Sequence, residues 1–240
     1  MNLNWEKLNK ISYDDFVKNK KFPYIEIDEI FSNDKFELLL DTLPKKELFT
    51  KNEHIERNYG QGVHERLGYG GWNYKDLILN NSWKSFIDEI RSQKYKKFLH
   101  RLFGTKNLNI RFMWHYASKG QSVSPHYDSD RKLGSHIFYF NSKNWDNNWG
   151  GQTLLCFDNN NKIPKKSAPK INDFDEIYMT KGLPNSSLLF RNSIDSWHSV
   201  EALNCPENHF RKVFIIVIEK ETITEKFKRF FTSLPERGVT

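Results

Sequence analysis

The spacing of hydrophobic residues changes about halfway along the chain. Before residue 108 it is mostly helical. Phe36, Leu39, Leu40 and Leu43 fall at i, i+3, i+4 and i+7, with Asn33 placed to cap a helix and Pro44 to stop it. Ser82 can cap a second helix through Trp83, Phe86, Ile87 and Ile90. Ser92 can open a third, with Tyr95, Phe98, Leu99, Leu102 and Phe103 on one stripe and Gly104 at its end. Tyr24–Asp28 alternates as a short strand behind Pro23. From about Asn109 the runs become short and strand-like: Ile110–Tyr116, Ser135–Phe140, Gln152–Phe157, Ser186–Phe190 and Arg211–Glu219. Lys119-Gly120, Asp146–Gly151 and Asn204–Asn208 supply turns between them. Many short strands without a βαβ rhythm predict a mainly β fold with flanking helices and a double-sheet jelly-roll core.

At 240 residues this is read as one domain. Residues 1–108 form its helix-rich part, 109–220 the jelly-roll core and 221–240 a C-terminal tail. Two polar segments read as loops. Lys51–Trp72 is glycine-rich and carries Arg57, Tyr59, His64, Arg66, Tyr69 and Trp72, which suits a lid over a bound substrate. Asp158–Pro184 is rich in Asn, Lys and Pro, with an aromatic island at Phe174 and Tyr178.

Composition narrows the function. With 19 Phe, 10 Tyr and 7 Trp the chain can build a large core. No apolar run is long enough for a transmembrane helix, and the first residues lack a basic-then-apolar leader. Cys156 and Cys205 stand far apart, which excludes a disulfide scaffold, a cysteine zinc site and an iron–sulfur cluster. A reduced, cytoplasmic setting is the expectation. The balance of 37 basic against 30 acidic residues gives +7, but the lysines are scattered among acids, which reads as solubility. There is no P-loop. Gly60-Gln61-Gly62 fails the dinucleotide fingerprint, His64-Glu65 is not followed by a zincin histidine, and no nucleophile elbow occurs.

The chemistry concentrates in Pro125-His126-Tyr127-Asp128. In a strand, residues i and i+2 share a face, so His126 and Asp128 would present an imidazole and a carboxylate together. A second histidine on another strand would complete the two-His-one-carboxylate face of non-haem Fe(II) oxygenases, with the remaining positions open. His136, His198 and His209 are the downstream candidates. His136 reads as a core or surface residue, and His209 lies in a polar turn. His198 begins His198-Ser199-Val200 after a short turn, so a returning hairpin would set it opposite His126. Arg211 heads the apolar strand Val213–Ile218. A guanidinium entering such a strand needs an anion, either a ligand carboxylate or a protein acid such as Glu201 or Glu219. The ligand is favoured, because Arg211 follows His198. Tyr139, in Phe138-Tyr139-Phe140-Asn141, can add a hydroxyl.

Taken together these pieces resemble the Fe(II)/2-oxoglutarate-dependent dioxygenases of the prolyl-4-hydroxylase-like branch. The resemblance covers Ile110–Glu219 and rests on His126-x-Asp128, Ile137–Asn141, Trp149-Gly150-Gly151-Gln152-Thr153-Leu154, Leu188-Leu189-Phe190, Trp197–Val200 and Arg211–Phe214. It implies a double-stranded β-helix, with iron held by His126, Asp128 and His198. Arg211 would take the distal carboxylate of 2-oxoglutarate, Tyr139 would assist, and Tyr116 would line the same pocket. It implies Fe(II), 2-oxoglutarate as co-substrate, O2, and stimulation by ascorbate. Two departures stand out. The stretch between His198 and Arg211 is longer than the family's usual, with Cys205-Pro206-Glu207 as an extra turn. Val213 replaces the serine of related branches two residues after Arg211.

The implied reaction hydroxylates an unactivated C–H bond and yields succinate and CO2; desaturation and ring closure are the other outcomes. Peptidyl proline, a free amino acid, a sugar and other small molecules are all compatible substrates. A nucleic-acid demethylase of the same superfamily is disfavoured, because Val217 stands where that branch carries a second arginine. A non-catalytic binding module with a retained metal site is the remaining alternative.

Overall fold

The computed structural model describes residues 1–18, 21–52, 64–69, 79–165 and 167–221, and at 50–52 and 64–69 only the main chain. Arg57, Tyr59 and Trp72 of the expected lid, and the tail beyond residue 221, lie outside the described residues.

Among the described residues five α-helices precede the core: α1 (Trp5–Lys10), α2 (Tyr13–Phe16), α3 (Asn33–Asp41), α4 (Asn81–Arg91) and α5 (Gln93–Phe103). The three helices expected from periodicity are present. Ser92 caps α5 by accepting from the Tyr95 amide, and Gly104 ends it in the left-handed region at φ 65°. Two caps differ from expectation. Ser32 rather than Asn33 occupies the N-cap of α3, and Asn80 rather than Ser82 caps α4, its side chain accepting from the Ser82 amide. The helices α1 and α2 are too short to show a period.

The strands are β1 (Tyr24–Asp28), β2 (Thr50–Asn52), β3 (His64–Tyr69), β4 (Leu108–Ala117), β5 (Val123–His126), β6 (Lys132–Tyr139), β7 (Leu154–Phe157), β8 (Glu176–Met179), β9 (Ser186–Arg191), β10 (Trp197–Val200) and β11 (Arg211–Lys220). They form two antiparallel sheets, ordered β1-β9-β6-β11-β4-β3-β2 and β5-β10-β7-β8. This is the jelly roll the strand pattern predicts. Among the described residues no helix is long and apolar enough to cross a membrane.

Alternation sorts the long strands into two faces. Phe112, Trp114, Tyr116, Phe138, Phe140, Phe214, Ile216 and Ile218 point to the helices and meet Trp83, Phe86 and the stripe of α5. The Trp83 ring lies 5.1 Å from Trp114 and 5.4 Å from Phe214. Each such fully buried ring stabilises the fold by about 1.5–3 kcal/mol. The other face looks into the space between the sheets, where Ile137, Tyr139 and Val213 meet Leu155, Phe157, Leu188 and Phe190.

Both expected loops contain more order than their composition suggests. His64–Tyr69 is a strand paired with β4, not loop. Within 158–184, Glu176–Met179 forms β8 against β7, and Ile163, Ile171 and Phe174 cover the outer face of the small sheet around Trp197. Tyr178 donates to Glu26 at 2.7 Å and so ties β8 to the edge strand β1. Polar residues carry this segment's surface, while a few apolar ones anchor it.

His136 is fully buried on the helix side, between Tyr95 at 2.7 Å and Ser187 at 3.0 Å. Burial pushes its pKa down to about 3. The unfolded chain therefore binds this proton more readily between the unfolded value near 6.5 and pH 3. Stability should fall as pH drops below about 6.5, by up to about 1.4 kcal/mol per unit from this residue. Urea unfolding of metal-free protein between pH 7 and 5 should show a shallower dependence in His136→Gln than in the parent chain. An equal slope would assign the acid sensitivity elsewhere.

Candidate active site

Strand pairing builds the site. β10 runs antiparallel to β5 and places His198 directly opposite His126, with ring centroids 4.3 Å apart. Ligand atoms of His126, Asp128 and His198 all lie within 4.8 Å of one another. In each histidine Nδ1 lies 2.9 Å from the carbonyl two residues earlier, of Ser124 and Ser196 respectively. Only a protonated Nδ1 can bond a carbonyl, so the lone pair resides on Nε2. Burial lowers both imidazole pKa values, that of His198 to about 4. Both rings are therefore neutral near pH 7, the form that binds a metal. Burial alone would raise the pKa of Asp128, but Lys132, by its charge and its hydrogen bond, helps hold it below the usual carboxylate value. Two neutral imidazoles and one carboxylate fit a non-haem Fe(II) site, and three ligands leave coordination positions open.

His198 also touches the Phe190 ring, with centroids 4.8 Å apart, and so faces the cluster between the sheets. Arg211 faces the same space. It precedes Val213 by two on β11, and Val213 belongs to that cluster. Its guanidinium is buried, donates from Nε to the Gly151 carbonyl, and lies 5.7 Å from the Tyr139 ring centroid. Among the described residues no carboxylate pairs with it. Glu219, one acid that could have done so, bonds Arg111 at 2.6 Å and Arg131 at 3.0 Å, and Glu201 is exposed. Burial lowers the Arg211 pKa and Tyr139 offsets this, yet a guanidinium stays charged. The Tyr139 hydroxyl sits 2.9 Å from that of Thr153. A fixed charge and two hydroxyls thus line one wall, which suits a carboxylate.

Residues 112–217 match the family model of the 2OG-Fe(II) oxygenase superfamily, a span that holds every one of these groups. Over that span the chain carries the pattern of this superfamily. The oxygenase is similar in fold to the crystal structure of a Pseudomonas putida prolyl-4-hydroxylase, with TM-score 0.61 and 9% identity over 87% of this chain and 98% of that one. It is similar to a prolyl hydroxylase in complex with a hypoxia inducible factor oxygen degradation domain peptide fragment from Trichoplax adhaerens, with TM-score 0.62 and 13% identity over 96% and 97%. A non-heme α-ketoglutarate-dependent epimerase from nogalamycin biosynthesis gives TM-score 0.57 and 9% identity over 90% and 82%. A search of curated protein sequences found no match. Enzymes of the superfamily use Fe(II) and 2-oxoglutarate.

The oxygenase does not bring Tyr116 to this group. Tyr116 is paired with Lys212, not with Arg211, and its side chain turns to the helical layer. There its hydroxyl donates to the Pro44 carbonyl at 3.0 Å and its ring stacks on Phe49 at 4.2 Å. The residues β4 turns inward are its neighbours His115 and Ala117, opposite Val213 and Arg211. Strand parity relative to Arg211 would have shown this, had the β4–β11 register been known. Asp128 also departs from expectation, because β5 ends at His126 and the carboxylate stands on irregular chain beyond it. The extra residues after His198 are partly buried structure, with Leu203 and Cys205 packed on Ala117 and Trp145. His209 is exposed beside Trp149. Sequence reasoning missed Thr153, Lys132 and Asn192, whose polar contacts exist only in the folded chain.

Proposed function

We propose that the oxygenase hydroxylates an unactivated C–H bond of its primary substrate, consuming 2-oxoglutarate and O2 and releasing succinate and CO2. The observation that carries this reading is the buried guanidinium of Arg211, with no carboxylate partner among the described residues, on the same interior face as the His126–Asp128–His198 group. In this reading His126 and His198, through Nε2, and Asp128 hold Fe(II), which when bound supplies the oxygen-activating chemistry. Arg211 bonds the distal carboxylate of oxoglutarate, and Tyr139 and Thr153 add hydroxyl contacts beside it. Phe190, Leu155 and Leu188 keep the space between the sheets apolar and exclude water, which strengthens the charged contact. Ser124 and Ser196 keep each Nδ1 protonated and so keep Nε2 available.

The likeness to prolyl hydroxylases makes a proline-containing peptide the first substrate to try, before free amino acids and sugars. The likeness to an epimerase favours a second reading, in which oxoglutarate and O2 are consumed, a reductant such as ascorbate supplies the two electrons that carry the untransferred oxygen atom to water, and the substrate keeps its mass. Both are tested by one screen of succinate release with Fe(II), ascorbate and oxoglutarate, followed by mass spectrometry of the substrate. Hydroxylation adds one oxygen atom; epimerisation adds none. Failure to bind oxoglutarate in the presence of metal would remove both.

A further inference from the structure

Asp128 has no strand partner to hold it. His126 and His198 face each other across a ladder, but Asp128 lies past the end of β5. Its carboxylate must still stay beside both imidazoles. The contacts that secure it come from Asn192, the first residue after β9. The Asn192 amide nitrogen lies 3.2 Å from the Asp128 carbonyl, 3.1 Å from that of Ser129 and 3.0 Å from that of Lys132. Its main-chain nitrogen donates to the Leu133 carbonyl at 2.7 Å. On its other side Oδ1 accepts from the Ser196 hydroxyl at 3.0 Å. The carbonyl of that same Ser196 receives Nδ1 of His198 at 2.9 Å. One side chain therefore joins the segment that carries the carboxylate to the turn that orients the second imidazole.

We propose that Asn192 is a positioning residue, an amide clamp that fixes the main chain around Asp128 and so sets where its carboxylate meets the metal. This rests on the reading of His126, Asp128 and His198 as the metal ligands. The chemistry selects asparagine. A primary amide offers two N–H donors on one side and an acceptor on the other, in one plane. Aspartate would turn acceptors toward three carbonyls, and serine brings a single donor. Lys132 completes the arrangement, its Nζ 2.5 Å from Oδ1 of Asp128. That contact occupies one oxygen and leaves the other for the metal. A carboxylate held at both main chain and side chain loses little freedom on binding, which is how supporting contacts raise affinity.

The test measures metal affinity apart from turnover. Metal-free protein is titrated with Co(II), followed by calorimetry and by visible absorption, and its thermal midpoint is recorded separately. Asn192→Ala should weaken Co(II) binding about 10–100-fold, the usual effect of losing a group that orients a ligand. Asn192→Asp should weaken it at least as much, although it keeps the size and the acceptor toward Ser196. Metal-free Asn192→Asp should unfold a few degrees below the parent chain, since contacts to three carbonyls are lost, but should keep one cooperative transition. Parent-like Co(II) affinity in Asn192→Asp would overturn the clamp. So would a loss of affinity matched by an equal collapse of the metal-free fold in both variants. A parent chain that binds no Co(II), or an Asp128→Ala variant that binds as tightly as the parent, would overturn the ligand assignment instead.

Discussion

Replacing His198 by Ala should reduce succinate formation to background and cost the protein more than 100-fold in metal affinity. The reason is that, among the described residues, no group other than His198 joins His126 and Asp128 as a third metal-binding side chain. A lost supporting residue costs about 10–100-fold, and His198 would be a ligand itself. Among the remaining histidines, His136 is locked between Tyr95 and Ser187 on the opposite face of the large sheet. His209 is exposed and packs against Trp149. Two ligands, His126 and Asp128, would remain on β5 and the chain after it. Succinate release and Co(II) absorption measure the two losses separately. Full activity in His198→Ala would place the third ligand elsewhere.

Arg211→Ala should weaken oxoglutarate binding about 10–150-fold and leave metal binding intact. A charge-assisted hydrogen-bonded contact in a dry pocket contributes roughly 1.5–3 kcal/mol, which is that range of affinity. Tyr139→Phe removes only a neutral hydrogen bond and should cost less, about 2–13-fold. Gly151→Ala should also weaken oxoglutarate, through Arg211. A Cβ there would stand 3.0 Å from Cδ of Arg211, and the position has φ +93°, which a side chain resists. Calorimetry with oxoglutarate on the Co(II)-loaded protein reads all three. An unchanged affinity in Arg211→Ala would mean that the anchor lies elsewhere.

The sequence by itself determined the jelly roll, because alternation and short runs at β4, β6, β7, β9 and β11 each point to a half-buried or fully buried strand. It also determined which histidine joins His126. The short turn before Trp197-His198 leaves a returning strand as the simple solution, and β10 does lie beside β5 with His198 opposite His126, although the ladder shifts register before Val200. Arg211 stood out for a similar reason, since a guanidinium at the head of an apolar strand needs an anion if it is turned to the buried face. Local chemistry was enough in these cases because each residue's requirement is set by its own neighbours in the chain.

Tertiary structure decided what depends on register and on distant partners. Tyr116 and His115 sit one residue apart, and a strand shows opposite faces to successive residues. Only the pairing of Ala117 with Arg211 tells which of them looks inward. Asp128 could be read as a strand residue because H-x-D suits a strand, yet the strand stops first and the fold supplies Asn192 from far along the chain to hold it. The polar segment 158–184 looks like free loop, because three apolar side chains that anchor it are too few to set a period. Whether those few find a surface to cover depends on Trp197 and the small sheet beneath them, which exist only once the two sheets have formed.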